Sequence, residues 1–173
     1  MNSVANLINN GINAIRLNIL VFGPQVTVLS ADERTLNLQN KRIQIRQRLE
    51  DLGHNVKYAE DMVDPNLPSP KNNAFLQEIV IMAEFDLIFN VVDSPGSITE
   101  AALIASKPNL SQKASLFLDS QFTGGLPAEA CRAAQYLGAD FNTYIYPTDL
   151  VDCNLLTFIL ERVSKAQFVK LIS

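Results

Sequence analysis

Two carboxylates flank a turn in the segment "VVDSPGSITEAALIA", residues 91–105. Asp93 ends an apolar run, Ser94-Pro95-Gly96 has the composition of a tight turn, and Glu100 follows. Carboxylates can act as nucleophiles or as general acids and bases. Ser97-Ile98-Thr99-Glu100 also matches a capping box, in which Ser97 would cap a helix and Glu100 would bond back to it. Glu100 is therefore either a helix cap or a catalytic carboxylate, with Asp93 as its candidate partner.

Apolar runs that alternate with amphipathic segments surround this feature. The predicted strands are "LNILVFGP", "HNVKYAED", "DLIFNVVD", "ASLFLDS" and "FNTYIYP". Such alternation predicts an α/β fold, a doubly wound, five-stranded parallel sheet of the flavodoxin or Rossmann-like type, with strand order 2-1-3-4-5. We expect a single domain over residues 1–173, with extra terminal helices at 1–16 and 148–173 that pack on it or at an oligomer interface.

Periodicity assigns the helices and their inner faces. Val4, Ile8, Ile12 and Ile15 indicate the opening helix, and Phe75, Ile79 and Met82 indicate the inner side of a later one. A polar loop over residues 25–37 precedes a helix from Leu38, whose polar, solvated face is expected to hold Lys41, Arg42, Arg46 and Arg48. In the terminal helix, "LLTFIL" is apolar nearly all round, which predicts burial.

Ligands of open α/β sheets bind beyond the carboxyl ends of the strands, where the strand order reverses. Here that point lies between the first strand, which ends at Gly23-Pro24, and the third, which ends before the turn at residues 94–97. Free N–H groups at the following helix start favour an anion such as a phosphate. Arg34 is either a clamp for that anion or a surface charge. The predicted substrate-binding residues are Gly23, Pro24, Arg34, Ser94, Pro95, Gly96 and Ser97.

Composition excludes several classes of function. A net charge of -4 argues against direct nucleic-acid binding. One histidine, His54, and two distant cysteines, Cys131 and Cys153, cannot build a zinc site. The cysteines are buried thiols, form a disulfide or have a redox role. There is neither a P-loop nor a G-x-G-x-x-G run, which argues against phosphate transfer and against a nicotinamide dehydrogenase. We expect no cofactor and no metal. With neither a signal peptide nor a membrane span evident, we expect a cytoplasmic protein.

The stretches "VFGP", "LEDLGHNVKYAED" and "DSPGSITEAA" together resemble the nucleoside 2-deoxyribosyltransferase-like superfamily, over most of residues 17–147. This superfamily is related to the nucleotide-binding Rossmannoid domains that include the cytokinin-activating phosphoribohydrolases. The specific shared element is Gly96-Ser97-Ile98-Thr99-Glu100, of the Gly-Ser/Thr-x-x-Glu type. The arginine that phosphoribohydrolases carry on the preceding helix is missing here.

The resemblance implies cleavage of the N-glycosidic bond of a nucleoside, a nucleotide or NAD, with Glu100 attacking the anomeric carbon. Asp93 or a second acid would protonate the departing base, and Glu78 and Glu84 are further candidates for that acid. Several antiphage effectors, some of them in retrons, are similar proteins, which makes a defence role and a regulatory protein partner compatible with this chain. A homo-oligomer is expected from the apolar terminal helix. The alternative is a non-catalytic nucleotide sensor that uses the same crevice.

Overall fold

One parallel sheet organises the chain. The structure is a computed structural model that describes residues 3–173, apart from the side chains of Val4, Ala5, Leu7 and Asn9. Its strands are β1 (Asn18–Phe22), β2 (Asn55–Tyr58), β3 (Leu87–Val92), β4 (Ala114–Asp119) and β5 (Asp140–Tyr144). They are all parallel and follow the order β2-β1-β3-β4-β5. The predicted doubly wound α/β fold is confirmed, including its strand order.

Helices connect the strands and cover both faces of the sheet. In the described part of the chain they are α1 (Val4–Ala14), α2 (Glu33–Asp51), α3 (Ala74–Glu84), α4 (Pro95–Ala105), α5 (Pro108–Ser111), α6 (Gly125–Tyr136), α7 (Thr148–Val151) and α8 (Asn154–Ile172). A 3₁₀ turn, Ala59–Asp61, follows β2. None of the described helices has the length and apolar character that a bilayer crossing needs.

The central strand β3 contributes to two apolar cores because its side chains alternate between the faces of the sheet. Ile88 and Val92 belong to the core beneath α3, α4, α5 and α6. Phe89 and Val91 belong to the core beneath α2, α7 and α8. All six residues of β3 are buried. The carboxyl end of this strand is therefore fixed rigidly in the middle of the molecule.

The helix α2 begins earlier than the apolar periodicity indicates. It starts at Glu33 within the predicted loop, because the Asp32 side chain caps it by accepting a hydrogen bond from the Thr35 N–H at 2.8 Å. Glu33 in the first turn is also favourable to the helix dipole. As a consequence Arg34 lies in the first turn of a helix, and the helix fixes the position from which its side chain extends.

Two predicted burial patterns are wrong at aromatic residues. Phe75, assigned to the inner side of its helix, is 47% exposed, and the buried residues of α3 are Ile81 and Met82. In the C-terminal segment the chain breaks into α7 and α8 at Cys153, whose φ of 65° interrupts the helix. Within "LLTFIL", Phe158 is 43% exposed, because α8 has one face on the core and the other in solvent.

The opening helix forms as its apolar spacing predicts. Ile15 packs at the edge of the α8-side core, whereas Ile8 is 41% exposed. The side chain of Val4, which belongs to the same predicted stripe, lies outside the described residues. Gln167 of α8 donates from Nε2 to the carbonyl oxygens of Ile12 and Ile15 at 3.2 and 2.9 Å, which joins the two terminal helices.

Candidate active site

The helix that follows β3 is capped one turn earlier than the sequence pattern suggests. Its N-cap is Ser94, and Pro95 occupies the first helical position, which its fixed φ suits. The capping box is formed by Ser94 and Ser97, not by Ser97 and Glu100. The prediction that Glu100 completes a capping box is therefore wrong. Glu100 lies within α4, and its position needs another explanation.

Ser97 is a structural residue of the turn. It is 1% exposed, and its Oγ accepts from the N–H groups of Asp93 and Ser94 at 2.9 and 2.8 Å. Its carbonyl oxygen accepts from the Nδ2 of Asn90 at 2.8 Å, which ties the first turn of α4 to β3. Pro95 and Gly96 are exposed on the outside of the same turn. The predicted substrate roles of these turn residues remain predictions. Pro95 and Gly96 lie on the side of the turn that a ligand could reach.

Glu100 lies on the inner side of α4. It follows Ser97 by three residues and precedes Ile104 by four, and both of those are buried. Its Oε2 atom is buried and has no hydrogen-bond partner among the described residues. Burial raises the pKa of Glu100 to about 8, and repulsion from Glu78 and Glu60 adds to this against the opposing effect of Arg42. This pKa favours the protonated form of Glu100 at neutral pH.

The groups that act on Glu100 come from three other elements. Glu78 lies on α3, and burial followed by repulsion from Glu60 raises the pKa of the Glu78 carboxyl. Glu60 lies in the 3₁₀ turn after β2 and forms a two-point ion pair with Arg42 of α2, at 2.6 and 2.7 Å. We call Arg42, Glu60, Glu78 and Glu100 the glutamate cluster. No described group of acidic, His or Cys side chains has an arrangement that could hold a metal ion.

Arg42 supplies the positive charge of this cluster from inside the protein. The expectation that it belongs to a solvated helix face is wrong, since it is 1% exposed. Besides Glu60, it donates to the carbonyl oxygens of Val21 at 2.6 Å and Pro24 at 3.0 Å, and it stacks 4.2 Å from the centroid of Tyr58. Gly23 has a φ of 146°, and a Cβ there would lie 3.4 Å from the Arg42 Cδ. The Gly23-Pro24 turn thus accommodates an arginine that crosses the end of β1.

Lys41 beside it is also buried, at 6% exposure, so the solvated-face prediction fails for it too. Burial lowers the pKa of Lys41, and its Nζ donates to Gln44 Oε1 at 2.6 Å. Arg46 is partly exposed and Arg48 exposed, as expected for a polar face.

Arg34 and Asp93 form a second charged group beside the first. The Nη2 of Arg34 lies 2.7 Å from Asp93 Oδ1 and its Nη1 lies 2.8 Å from Asp119 Oδ2. The guanidinium also lies 4.6 Å from the centroid of Tyr146 and 5.2 Å from that of Phe122. Burial lowers the pKa of Arg34, but hydrogen bonds to both carboxylates outweigh this and raise it above the usual value. Arg34 thus joins α2 to the ends of β3 and β4, and a carboxylate at each of these strand ends already pairs with it.

Asp93 is bonded to Arg34, whereas the charges that act on Glu100 are Glu78, Arg42 and Glu60. Burial raises the pKa of Asp93, although the Arg34 hydrogen bond counteracts it. The structure therefore places Asp93 at the predicted edge of the sheet and offers Glu78 as the acid that influences Glu100 most. The catalytic role of Asp93 stays a prediction.

The remaining reactive side chains lie elsewhere. His54 is buried, and its Nδ1 accepts from the Leu17 N–H at 3.3 Å near the amino end of β1. Burial lowers its pKa, with Arg16 adding to the effect. Cys131 and Cys153 are both free thiols, so the disulfide alternative does not hold here. Burial raises the pKa of Cys131 to about 12, which makes this thiol inert.

The chain matches no model of a known protein family and no curated protein. The resemblance to the nucleoside 2-deoxyribosyltransferase-like superfamily therefore rests on the residues quoted above.

Proposed function

We propose that this protein cleaves the N-glycosidic bond of a nucleoside, a nucleotide or NAD, with Glu100 as the nucleophile. One observation carries the proposal: Glu100, on the helix that leads away from the switch point of the sheet, is partly exposed but has a buried carboxyl oxygen, Oε2, that nothing in the described structure bonds. Its helix is capped by other residues. A buried polar group without a partner costs folding free energy, and such groups are found at functional sites.

A carboxylate at this position suits a transition state with positive charge on the sugar. When the bond between the base and the anomeric carbon breaks, the sugar becomes oxocarbenium-like. Ionised Glu100 stabilises that charge and then forms a covalent ester with the anomeric carbon. Water or a second base then attacks the same carbon and gives its proton to the acid that protonated the departing base, which breaks the ester and returns the Glu100 carboxylate.

Glu78 is our candidate for the acid that protonates the departing base. Burial and repulsion from Glu60 raise its pKa, which favours the acid form that a proton donor needs, and it lies on the helix that precedes β3. Glu84, the other acid considered on that helix, is exposed at its end. The pair Glu78 and Glu84 therefore offers a matched comparison within one helix.

The test is release of free base. The purified protein is incubated separately with NAD, nucleoside monophosphates and deoxynucleosides, and the products are separated by chromatography. We expect base from at least one substrate class, loss of that activity in Glu100→Gln, and a reduction of about 10²-fold or more in Glu78→Gln.

Glu84→Gln is the control and should retain wild-type activity. Unfolding curves of all three variants check that lost activity is not lost structure. If no substrate releases base, or if Glu100→Gln is as active as the wild type, the proposal is wrong. If Glu78→Gln and Glu84→Gln behave alike, Glu78 is not the acid.

A further inference from the structure

The outward face of α8 carries a regular stripe that the proposed activity does not use. Phe158, Glu161, Lys165, Phe168 and Ile172 follow one another at intervals of three and four residues, so they lie along one line of the helix. The three apolar members are 43%, 43% and 68% exposed, and Glu161 and Lys165 are exposed as well. Exposed aromatic residues in a regular line are typical of a helix-pairing surface.

This stripe lies opposite the side of α8 that packs on the protein. The buried residues of α8 are Leu155, Leu156, Ile159, Val163 and Gln167. At about 100° per residue, their mean direction is roughly opposite to that of the stripe. The helix α1 contacts α8 through Gln167 and through Leu171, which lies against Gly11, and both contacts are away from the stripe.

The charges of the stripe have no ion-pair partners in the described structure. Arg162 and Lys170 on the same helix lie within ion-pair distance of Asp140 and Asp86. Glu161 and Lys165 form no ion pair with a described residue, although four residues separate them on one helix. Each is therefore available for a charge on another molecule.

The arrangement of these residues is symmetric about Val163. Phe158 and Phe168 lie five residues to either side of it, and Glu161 and Lys165 lie two residues to either side. If two α8 helices pair in antiparallel fashion about this point, each Phe158 meets Phe168 of the second copy, and each Glu161 meets Lys165 of the second copy. A parallel pair would instead place Glu161 on Glu161 and Lys165 on Lys165, which is repulsive.

We propose that the outward face of α8 binds the same face of a second copy of this chain in antiparallel orientation. Along the helix axis, the centre of the contact is level with Val163. Such a contact is isologous, since one surface serves both partners, and it gives a closed dimer. The helix has 19 residues and is about 28 Å long and about 10 Å wide, which covers less than the roughly 800 Å² per partner of a standard interface. We therefore expect a weak dimer whose dissociation constant falls in the micromolar range. This inference does not depend on the proposed activity.

A charge exchange tests both the partner and its orientation. Sedimentation equilibrium of the full chain is measured over a series from micromolar to sub-millimolar concentration. We expect a monomer–dimer equilibrium for the wild type. Glu161→Lys alone and Lys165→Glu alone should each weaken it by about tenfold or more, because each creates two like-charge contacts. The double variant Glu161→Lys/Lys165→Glu should restore it.

Two further variants test the aromatic contact. Phe158→Ser should weaken the dimer, whereas Tyr136→Ser on α6, 91% exposed and outside the stripe, should not. Circular dichroism at the lowest concentration confirms that each variant is folded. A wild type that stays monomeric throughout overturns the proposal, as does a dimer that Phe158→Ser leaves intact. A double variant as weak as the single ones excludes the antiparallel register.

Discussion

Glu100 illustrates what a buried carboxyl costs at the scale of one residue. Its carboxyl loses hydration, faces Glu78 and Glu60, and finds one opposing charge in Arg42, which Glu60 already engages. Burial and the two neighbouring glutamates disfavour ionisation and outweigh the arginine, so the pKa of Glu100 rises to about 8. A site that binds a positively charged transition state would recover this cost during the reaction, because the sugar cation favours the ionised form.

We predict that Glu100→Gln stabilises the free protein, and more so as pH rises. The folded-state pKa of about 8 lies above the unfolded value of 4.5, so the wild type loses stability as pH rises from about 4.5 through 8. Glutamine has the same shape and no charge to bury. Its advantage over the wild type should grow across this range by an amount on the order of 2–4 kcal/mol. Urea unfolding at several pH values measures it.

Glu84→Gln serves as the control for that experiment, since Glu84 is exposed at the end of α3. The gain expected from removing a buried carboxyl should be absent at this exposed position. Parallel pH curves for Glu100→Gln and the wild type would mean that Glu100 ionises normally in the folded state, which contradicts the burial described here.

At the scale of elements, Arg34 connects the start of α2 to the ends of β3 and β4. Its two carboxylate partners differ in burial, since Asp119 is 2% exposed and Asp93 is partly exposed. Asp119 also accepts from the Gln121 N–H and Nε2, at 3.1 and 2.7 Å, so its charge is held from two sides. A ligand that recruited Arg34 would have to replace at least one of these carboxylates.

We predict that Arg34→Ala lowers the free energy of unfolding by about 3 kcal/mol, because it leaves the buried Asp119 carboxylate without its cation. Arg34→Lys should recover part of this, since lysine keeps the charge but not the two-point bond or the stacking on Tyr146. Arg34→Ala/Asp119→Asn should lose less than Arg34→Ala alone. Urea unfolding measures all three, and a loss below about 1 kcal/mol for Arg34→Ala would show that the ion pairs are not structural.

The elements and their order could be predicted from the sequence, because apolar runs of strand length alternate with amphipathic segments. The glutamate cluster could have been predicted in part. Arg42 lies between Leu38 and Ile45 in the apolar repeat of α2, and Glu78 lies four residues before Met82 in that of α3. Glu100 similarly lies between Ser97 and Ile104 on α4. In all three cases the sequence signal is the same: a charged residue occupies a position of the helix that faces inward.

Other features lie outside the apolar pattern. The start of α2 at Glu33 depends on the Asp32 cap, a local hydrogen bond of which apolar spacing gives no sign. The pairing of Arg34 with Asp93 and Asp119 joins positions 59 and 85 residues apart, which only the folded sheet brings together. The capping residue was misplaced because Ser94 and Ser97 are both suitable caps, and Pro95 decides between them.

At the scale of the whole molecule, the strand order places charged groups from four connections at one edge. Glu60 follows β2, Asp93 follows β3, and Asp119 ends β4, while Arg34 and Arg42 reach this edge from α2, which follows β1. The two arginines are paired within the protein. Glu60, Asp93 and Asp119 are the carboxylates that engage them.

This edge is also where the two functional alternatives, an enzyme and a nucleotide sensor, give different results. A ligand that binds only the folded state stabilises it by about 2.7 kcal/mol at a concentration 100 times its dissociation constant. We predict that nucleosides, nucleotides or NAD raise the melting temperature of Glu100→Gln, because this variant keeps the crevice while it prevents covalent attack. Thermal shift measurements with each compound, followed by chromatography of the recovered ligand, separate the outcomes.

An enzyme returns cleaved ligand from the wild type and intact ligand from Glu100→Gln, whereas a sensor returns intact ligand from both. A ligand that shifts neither protein does not bind at this edge, and if no compound shifts either, the crevice is not a nucleotide site.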